Sequence, residues 1–158
     1  MNGRLMSMNK IILTKNPHGD SRTAPADTTF EEFRQANVDH VNDVQIVMAM
    51  LAAKLNQQAE QHDWTKFAFE EEFWKDFHKE DFVNGEWYQE HIHAEKHHPL
   101  SYCHKDITLL DILEMVVDCV CAGKTRSGKV RPLEVNEEIL KLALQNTVKL
   151  IDKMTEVK

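Results

Sequence analysis

Apolar positions along this chain recur mostly at three- and four-residue spacing, which is the period of amphipathic helices. Val41, Val44, Met48, Leu51 and Leu55 mark one face of a long helix that opens at Thr29, three residues before Glu32 in a capping-box arrangement. Asn56 is the expected break, because Asn tolerates the left-handed backbone that ends helices. Phe67, Phe69, Phe73, Trp74 and Phe77 suit a second helix ending near Asn84-Gly85. A third carries "EWYQEHIHAEKHH" and should stop about His98, since Pro99 disfavours helical backbone in the residue before it. The stretch "ITLLDILEMVVDCVCAG" is apolar nearly all the way round, which predicts a central helix ending at Gly123. Asn136 can cap a last helix with Leu140, Leu144, Val148 and Ile151 on its inner face. Ahead of all this, "KIILT" is β-like, and Pro17, Gly19 and Pro25 punctuate a loop. The pattern predicts an all-α, single-domain bundle of five or six helices over residues 28–158, with residues 1–27 as a short N-terminal arm or cap.

Composition narrows the function classes. A chain of 158 residues can bury one sizeable core without staples. With 19 Lys and Arg against 26 Asp and Glu the net charge is −7, which disfavours nucleic-acid binding as the main task while leaving room for a local basic pocket. No apolar run approaches a membrane span, and "MNGRLMSMNK" has no apolar signal core, so the expected location is the cytoplasm. Cys103, Cys119 and Cys121 are an odd set, expected as free thiols and not as a disulfide framework.

Candidate chemistry concentrates in histidines and acids. Four of the nine histidines, His91, His93, His97 and His98, fall in "EHIHAEKHHPL". On an unbroken helix His91, Glu95 and His98 share one face, whereas His93 and His97 form a separate pair, so they cannot all serve one metal. Asp118 lies between apolar neighbours Met115, Val116, Val117 and Val120, where a carboxylate needs a cation, either a metal or a basic side chain.

Read in order, His40, His62-Asp63, His91, His97 or His98, and Asp118 form a series H…HD…H…H…D that resembles the HD superfamily of metal-dependent phosphohydrolases. "HDWTKF" is similar to that superfamily's HD-x-x-K segment. "HIHAEKHH" with "EMVVDCVCAGKTRSG" resembles a domain-of-unknown-function family of small bacterial and phage proteins, whose pattern is roughly H, HDLSKF, H with a paired HH, and EMVADW-x-x-AGR. The likeness spans about residues 36–128, and Cys119 stands where that family usually has Trp.

The resemblance implies an HD-like helical domain holding one or two divalent cations, with Mn, Fe, Co, Ni, Zn and Mg not distinguished. It implies His40, His62, Asp63 and Asp118 as a primary metal site, with His91 and His98 completing a second site or contacting phosphate. His97 falls within the matched pattern and could join if the helix unwinds before Pro99; otherwise it is a substrate-binding candidate. His93 is outside the pattern and is expected at the surface, as are His78 and His104. Glu114 is expected to hold a ligand histidine through its second ring nitrogen. Asp63, Lys66 and Arg126 are the catalytic candidates, and Lys66, Lys124 and Arg126 the phosphate-binding ones, with Lys129 and Arg131 behind them. The implied activity is hydrolysis of a nucleotide or other small phosphoester by metal-activated water. Two alternatives stand beside it: a di-iron oxygenase using the same ligands, and a non-catalytic metal- or nucleotide-binding regulator. The expected partner is a small phosphorylated molecule, with no membrane partner, and the amphipathic last helix could support a homo-oligomer.

Overall fold

A computed structural model describes residues 10–130 and 132–158. Residues 1–9 of the expected arm, and Arg131, lie outside the described residues. Among the described residues the architecture is all-α apart from two three-residue strands. In order the elements are β1 (Ile11–Leu13), α1 (Phe30–Gln61), α2 (Trp64–Ala68), α3 (Glu70–Phe77), α4 (Glu86–Ala94), α5 (Leu109–Ser127), α6 (Glu137–Met154) and β2 (Thr155–Val157). Among the described residues no helix is long and apolar enough to cross a membrane. The chain divides into two compact units, residues 1–54 with 149–158, and residues 55–148.

In the first unit β1 pairs in parallel with β2, Ile11 opposite Thr155. The β-like character of "KIILT" foretold the first strand; the second was not anticipated. The arm is fastened to α1 by side chains, because three-residue strands alone are marginal. Asp39 Oδ2 accepts from the Asn16 amide at 2.8 Å, and Asp43 Oδ2 accepts from Thr14 N at 2.8 Å. The capping box at the start of α1 forms as expected, with Glu32 accepting from Thr29 N at 2.8 Å and Thr29 Oγ1 accepting from Glu32 N at 3.3 Å. The expected break at Asn56 does not occur. The residues after it, "QQAEQ", are good helix formers, and α1 continues to Gln61.

The second unit starts in the last turns of α1 and holds the densest packing. Its core is Ile107, Ile112, Met115 and Ala143, flanked by Cys103, Cys119, Leu133, Ile139 and Leu142. The single helix expected over 62–84 is instead α2 and α3, broken at Phe69, whose φ of −128° and ψ of 47° leave the helical region. α4 begins at Glu86 because Asp76, buried on α3, accepts from Trp87 N at 2.9 Å and caps it from across the turn. Gly85 is required there, since a Cβ would overlap the Asp76 carboxylate.

α5 differs from expectation at its end and in its burial. It runs through Gly123 to Ser127 and is closed by Gly128, whose φ of 71° is the left-handed C-cap conformation. Gly123 serves close approach: an added Cβ would stand 2.7 Å from Lys129 O. Only Asp111, Ile112 and Met115 of α5 are buried, and Val117 is 54% exposed, so the helix is not enclosed on several sides. α6 is capped by Asn136 as expected, through Glu138 N at 2.7 Å. Its inner face, however, is rotated. Asn146 donates to Lys105 O and Ile107 O, and Thr147 Oγ1 accepts from Leu109 N at 2.8 Å. These polar anchors turn Ala143 and Thr147 inward and leave Leu140, Leu144 and Val148 exposed.

Candidate metal centre

The centre is assembled from four places in the second unit: the His62-Asp63 turn, α4, the chain just after α4, and α5. Asp63 makes the turn, with φ 57° and ψ 25°, and is the only non-glycine residue with positive φ among the described ones. Asp accepts that conformation more readily than most residues, and such strain collects at functional positions.

α4 stops at Ala94, four residues earlier than expected, because Glu95 is extended, with φ −107° and ψ 111°. The helical-face argument therefore governs His91 and His93 but not His97 or His98. His93 is exposed, its Nδ1–H donating to Gln89 O. The residues after Ala94 fold back and bring both His97 and His98 beside His91. Asp63, His91, His97 and His98 can offer donor atoms that all lie within 4.8 Å of one another, and His62, His97 and Glu114 form a second such group.

Distances in the first group suit one small cation. His91 Nε2 is 2.8 Å from His98 Nε2 and 3.6 Å from Asp63 Oδ1, and His97 Nε2 is 3.5 Å from the same oxygen. Metal–nitrogen bonds of about 2.1 Å put tetrahedral ligands about 3.4 Å apart. Asp63 Oδ1 and His97 Nε2 are buried without a hydrogen-bond partner. Orphaned polar atoms of that kind cost about 1–3 kcal/mol each. A divalent cation among them would satisfy both, and three imidazoles with one carboxylate are a donor set such ions accept. The residues present fit a metal.

The remaining nitrogens are held from behind. Glu114 Oε1 accepts from His62 Nδ1 at 2.9 Å and lies 3.3 Å from His97 Nδ1. Both rings then point Nε2 away from Glu114, His62 Nε2 toward Asp63 Oδ2 at 3.5 Å and Asp118 Oδ1 at 3.7 Å. Thr65 Oγ1 is 2.6 Å from His91 Nδ1. Lys66 pairs with Asp63 Oδ2.

Electrostatics follow the same layout. Burial, reinforced by neighbouring histidines, pushes His91 down to about 3 and His98 down to about 4, so both rings are neutral at physiological pH. Burial alone would lower His97 too, but the Asp63 and Glu114 carboxylates outweigh it and lift the ring to about 9. Burial likewise works against Asp63, and the His97 and Lys66 contacts overcome it, holding the carboxyl well below its usual range. Without a metal, a protonated His97 supplies the positive charge the carboxylates require.

The cluster opens on a cleft of about 680 Å³. Its polar lining includes His91, His98, Asp118, Lys66 and Arg126, and its apolar wall is Phe73, Phe77, Phe82, Trp87 and Tyr88. Asp118 is half-buried, with its side chain 28% exposed, and is not enclosed by the apolar neighbours that flank it in sequence. Arg126 lies in the last turn of α5, whereas Lys124 is exposed and does not line this cleft. His40 is exposed on α1 in the first unit, and among the described residues it belongs to neither donor group. Its acidic neighbours Asp39 and Asp43 are engaged in fastening the arm. Thr65 and Glu95, both buried in the centre, carried no sequence signal as a pair, being 30 positions apart. Of the aromatic wall, Phe73 and Phe77 stand out in the sequence only as apolar positions of a helix.

Fold and site together define an all-α protein with a buried histidine and carboxylate cluster able to hold a metal ion. A family model described as "Family of unknown function (DUF5662)" matches residues 29–156, and the chain belongs to that family. The match extends past the 36–128 stretch, through α6 into β2. Neither a curated protein nor a solved structure matches the chain.

Proposed function

We propose that this chain is a metal-dependent phosphohydrolase of the HD type acting on a nucleotide or other small phosphoester. One observation carries the reading: the donor cluster opens, through His91 and His98, onto a cleft that also presents Lys66 and Arg126 and is walled by aromatic rings. A bound divalent cation would supply hydroxide near neutral pH and polarise a phosphoryl oxygen.

Asp63, His91, His97 and His98 would hold the cation, and His62 Nε2 with Asp118 Oδ1 offers further donors on the other side of Asp63. Lys66 and Arg126 would bind phosphate oxygens, Arg126 in the bidentate manner of a guanidinium. Phe77, 58% exposed in the cleft wall, gives a nucleobase a face to stack on. Phe73 and Trp87, stacked with ring centroids 4.1 Å apart, stiffen that wall.

The test is metal analysis of untagged protein, followed by a phosphoester panel with Mn²⁺, Co²⁺, Ni²⁺ and Mg²⁺. Metal content should fall in Asp63→Ala, His98→Ala, His62→Ala and Asp118→Ala. Arg126→Ala should keep its metal and lose about 10- to 100-fold in kcat/KM, the value of a charge-assisted phosphate contact. Wild-type metal content in all four ligand variants refutes the centre. Metal-loaded protein that cleaves no phosphoester refutes the hydrolase, and iron content with oxygen uptake would then favour the oxygenase.

A further inference from the structure

Behind His91, on the side away from the cluster, three buried groups form a chain. Thr65 on α2 and His91 on α4 are each 3% exposed, and Glu95, the first residue past α4, is 6% exposed. Thr65 Oγ1 is 2.6 Å from His91 Nδ1 and 3.1 Å from Glu95 Oε1, and Thr65 N donates to the same Glu95 oxygen at 3.3 Å.

A hydroxyl has one proton to give. An ionised Glu95 carboxylate can only accept, so the Thr65 hydroxyl gives its proton to Oε1, and the hydroxyl oxygen is left to accept from His91. His91 then carries its proton on Nδ1 and keeps a lone pair on Nε2. The other end of the ring, Nε2, faces His98 Nε2 at 2.8 Å and Asp63 Oδ1 at 3.6 Å, the atoms among which a cation would sit. Glu95 itself belongs to neither donor group, and its Oε2 is 3.9 Å from His97 Nδ1, too far for a hydrogen bond.

The geometry points to Thr65 and Glu95 as positioning residues that set the tautomer and orientation of His91, and through it the cation affinity of the centre. This rests on the metal-centre reading, but it makes its own claim about which groups behind the ligands matter. Glu95 makes this contact from an extended backbone just past the end of α4.

The experiment uses the full chain. Cobalt affinity is measured by competition with a chromophoric chelator, and the His91 tautomer is read in the metal-free protein from ring ¹⁵N shifts. The variants are Thr65→Val, Thr65→Ser and Glu95→Gln. Expected are an Nδ1–H tautomer in wild type, a mixed tautomer and about 10- to 100-fold weaker Co²⁺ binding in Thr65→Val, and recovery of both in Thr65→Ser. Glu95→Gln should weaken binding less than Thr65→Val, because its amide oxygen still accepts. The ring shifts also report on folding, so an unfolded Thr65→Val is recognised and the Thr65→Ser and Glu95→Gln pair decides. An Nε2–H tautomer in wild type, or equal Co²⁺ affinity in wild type and a folded Thr65→Val, overturns the relay alone. Wild type that binds no cation while showing the Nδ1–H tautomer overturns the metal-centre reading and leaves the relay as a buried structural device without the proposed role.

Discussion

Glu114 turns a single carboxylate oxygen toward two rings, His62 at 2.9 Å and His97 at 3.3 Å, and so settles which nitrogen each ring presents to the cluster. Replacing it by Gln keeps the shape but removes the charge that favours both Nδ1–H donors. Glu114→Gln should therefore lower divalent-cation affinity by about 10- to 100-fold, read by chelator competition, with the fold retained. At this scale the residue types were legible. His62-Asp63 stood out as an adjacent imidazole and carboxylate, and Glu114 as one turn before Asp118. The choice among His91, His93, His97 and His98 was not legible, because it depended on whether the helix continued to Pro99. Thr65 was invisible for a different reason: a hydroxyl beside an imidazole is meaningful only once α2 and α4 are brought together.

α4 is the element on which the site's geometry depends most, and its start is set from a distance by Asp76. The Lys79 ammonium beside Asp76, with the Trp87 amide, holds that carboxyl below its ordinary value. A depressed folded-state pKa gives stability that is present above the unfolded value of about 4 and is lost as pH falls through the folded one. Asp76→Ala should thus be less stable than wild type in urea at neutral pH, and the gap should narrow as pH falls below the unfolded value of about 4. Gly85→Ala should destabilise by about 1–3 kcal/mol, since its methyl would displace the buried Asp76 carboxylate. Most helices could be foreseen from spacing and caps, as Thr29 and Asn136 illustrate. Their ends and faces were less accessible. α6 presents Ala143 and Thr147 inward because Asn146 and Thr147 bind the backbone ahead of α5, a preference that outweighs its more apolar stripe.

At the scale of the whole molecule, the donors come from separate stretches between His62 and Asp118, all within the unit of residues 55–148. A cation gripped by those stretches binds the folded chain and not the unfolded one. At 100-fold above its dissociation constant it should add about 2.7 kcal/mol of stability. A raised thermal midpoint with Co²⁺ or Mn²⁺, reversed by a chelator and absent in Asp63→Ala, is the expected result. Amide-exchange protection should increase mainly within residues 55–148. The sequence alone determined the all-α class, the caps and the stock of imidazoles and carboxylates, because helical period and capping chemistry are local and side-chain chemistry travels with the residue. Only the tertiary structure decided that His97 joins His91 and His98, that Glu114 and Thr65 hold rings from behind, and that an aromatic cleft opens beside them. Those relations depend on where helices stop and how they pack, and both are set by contacts between residues far apart in the chain.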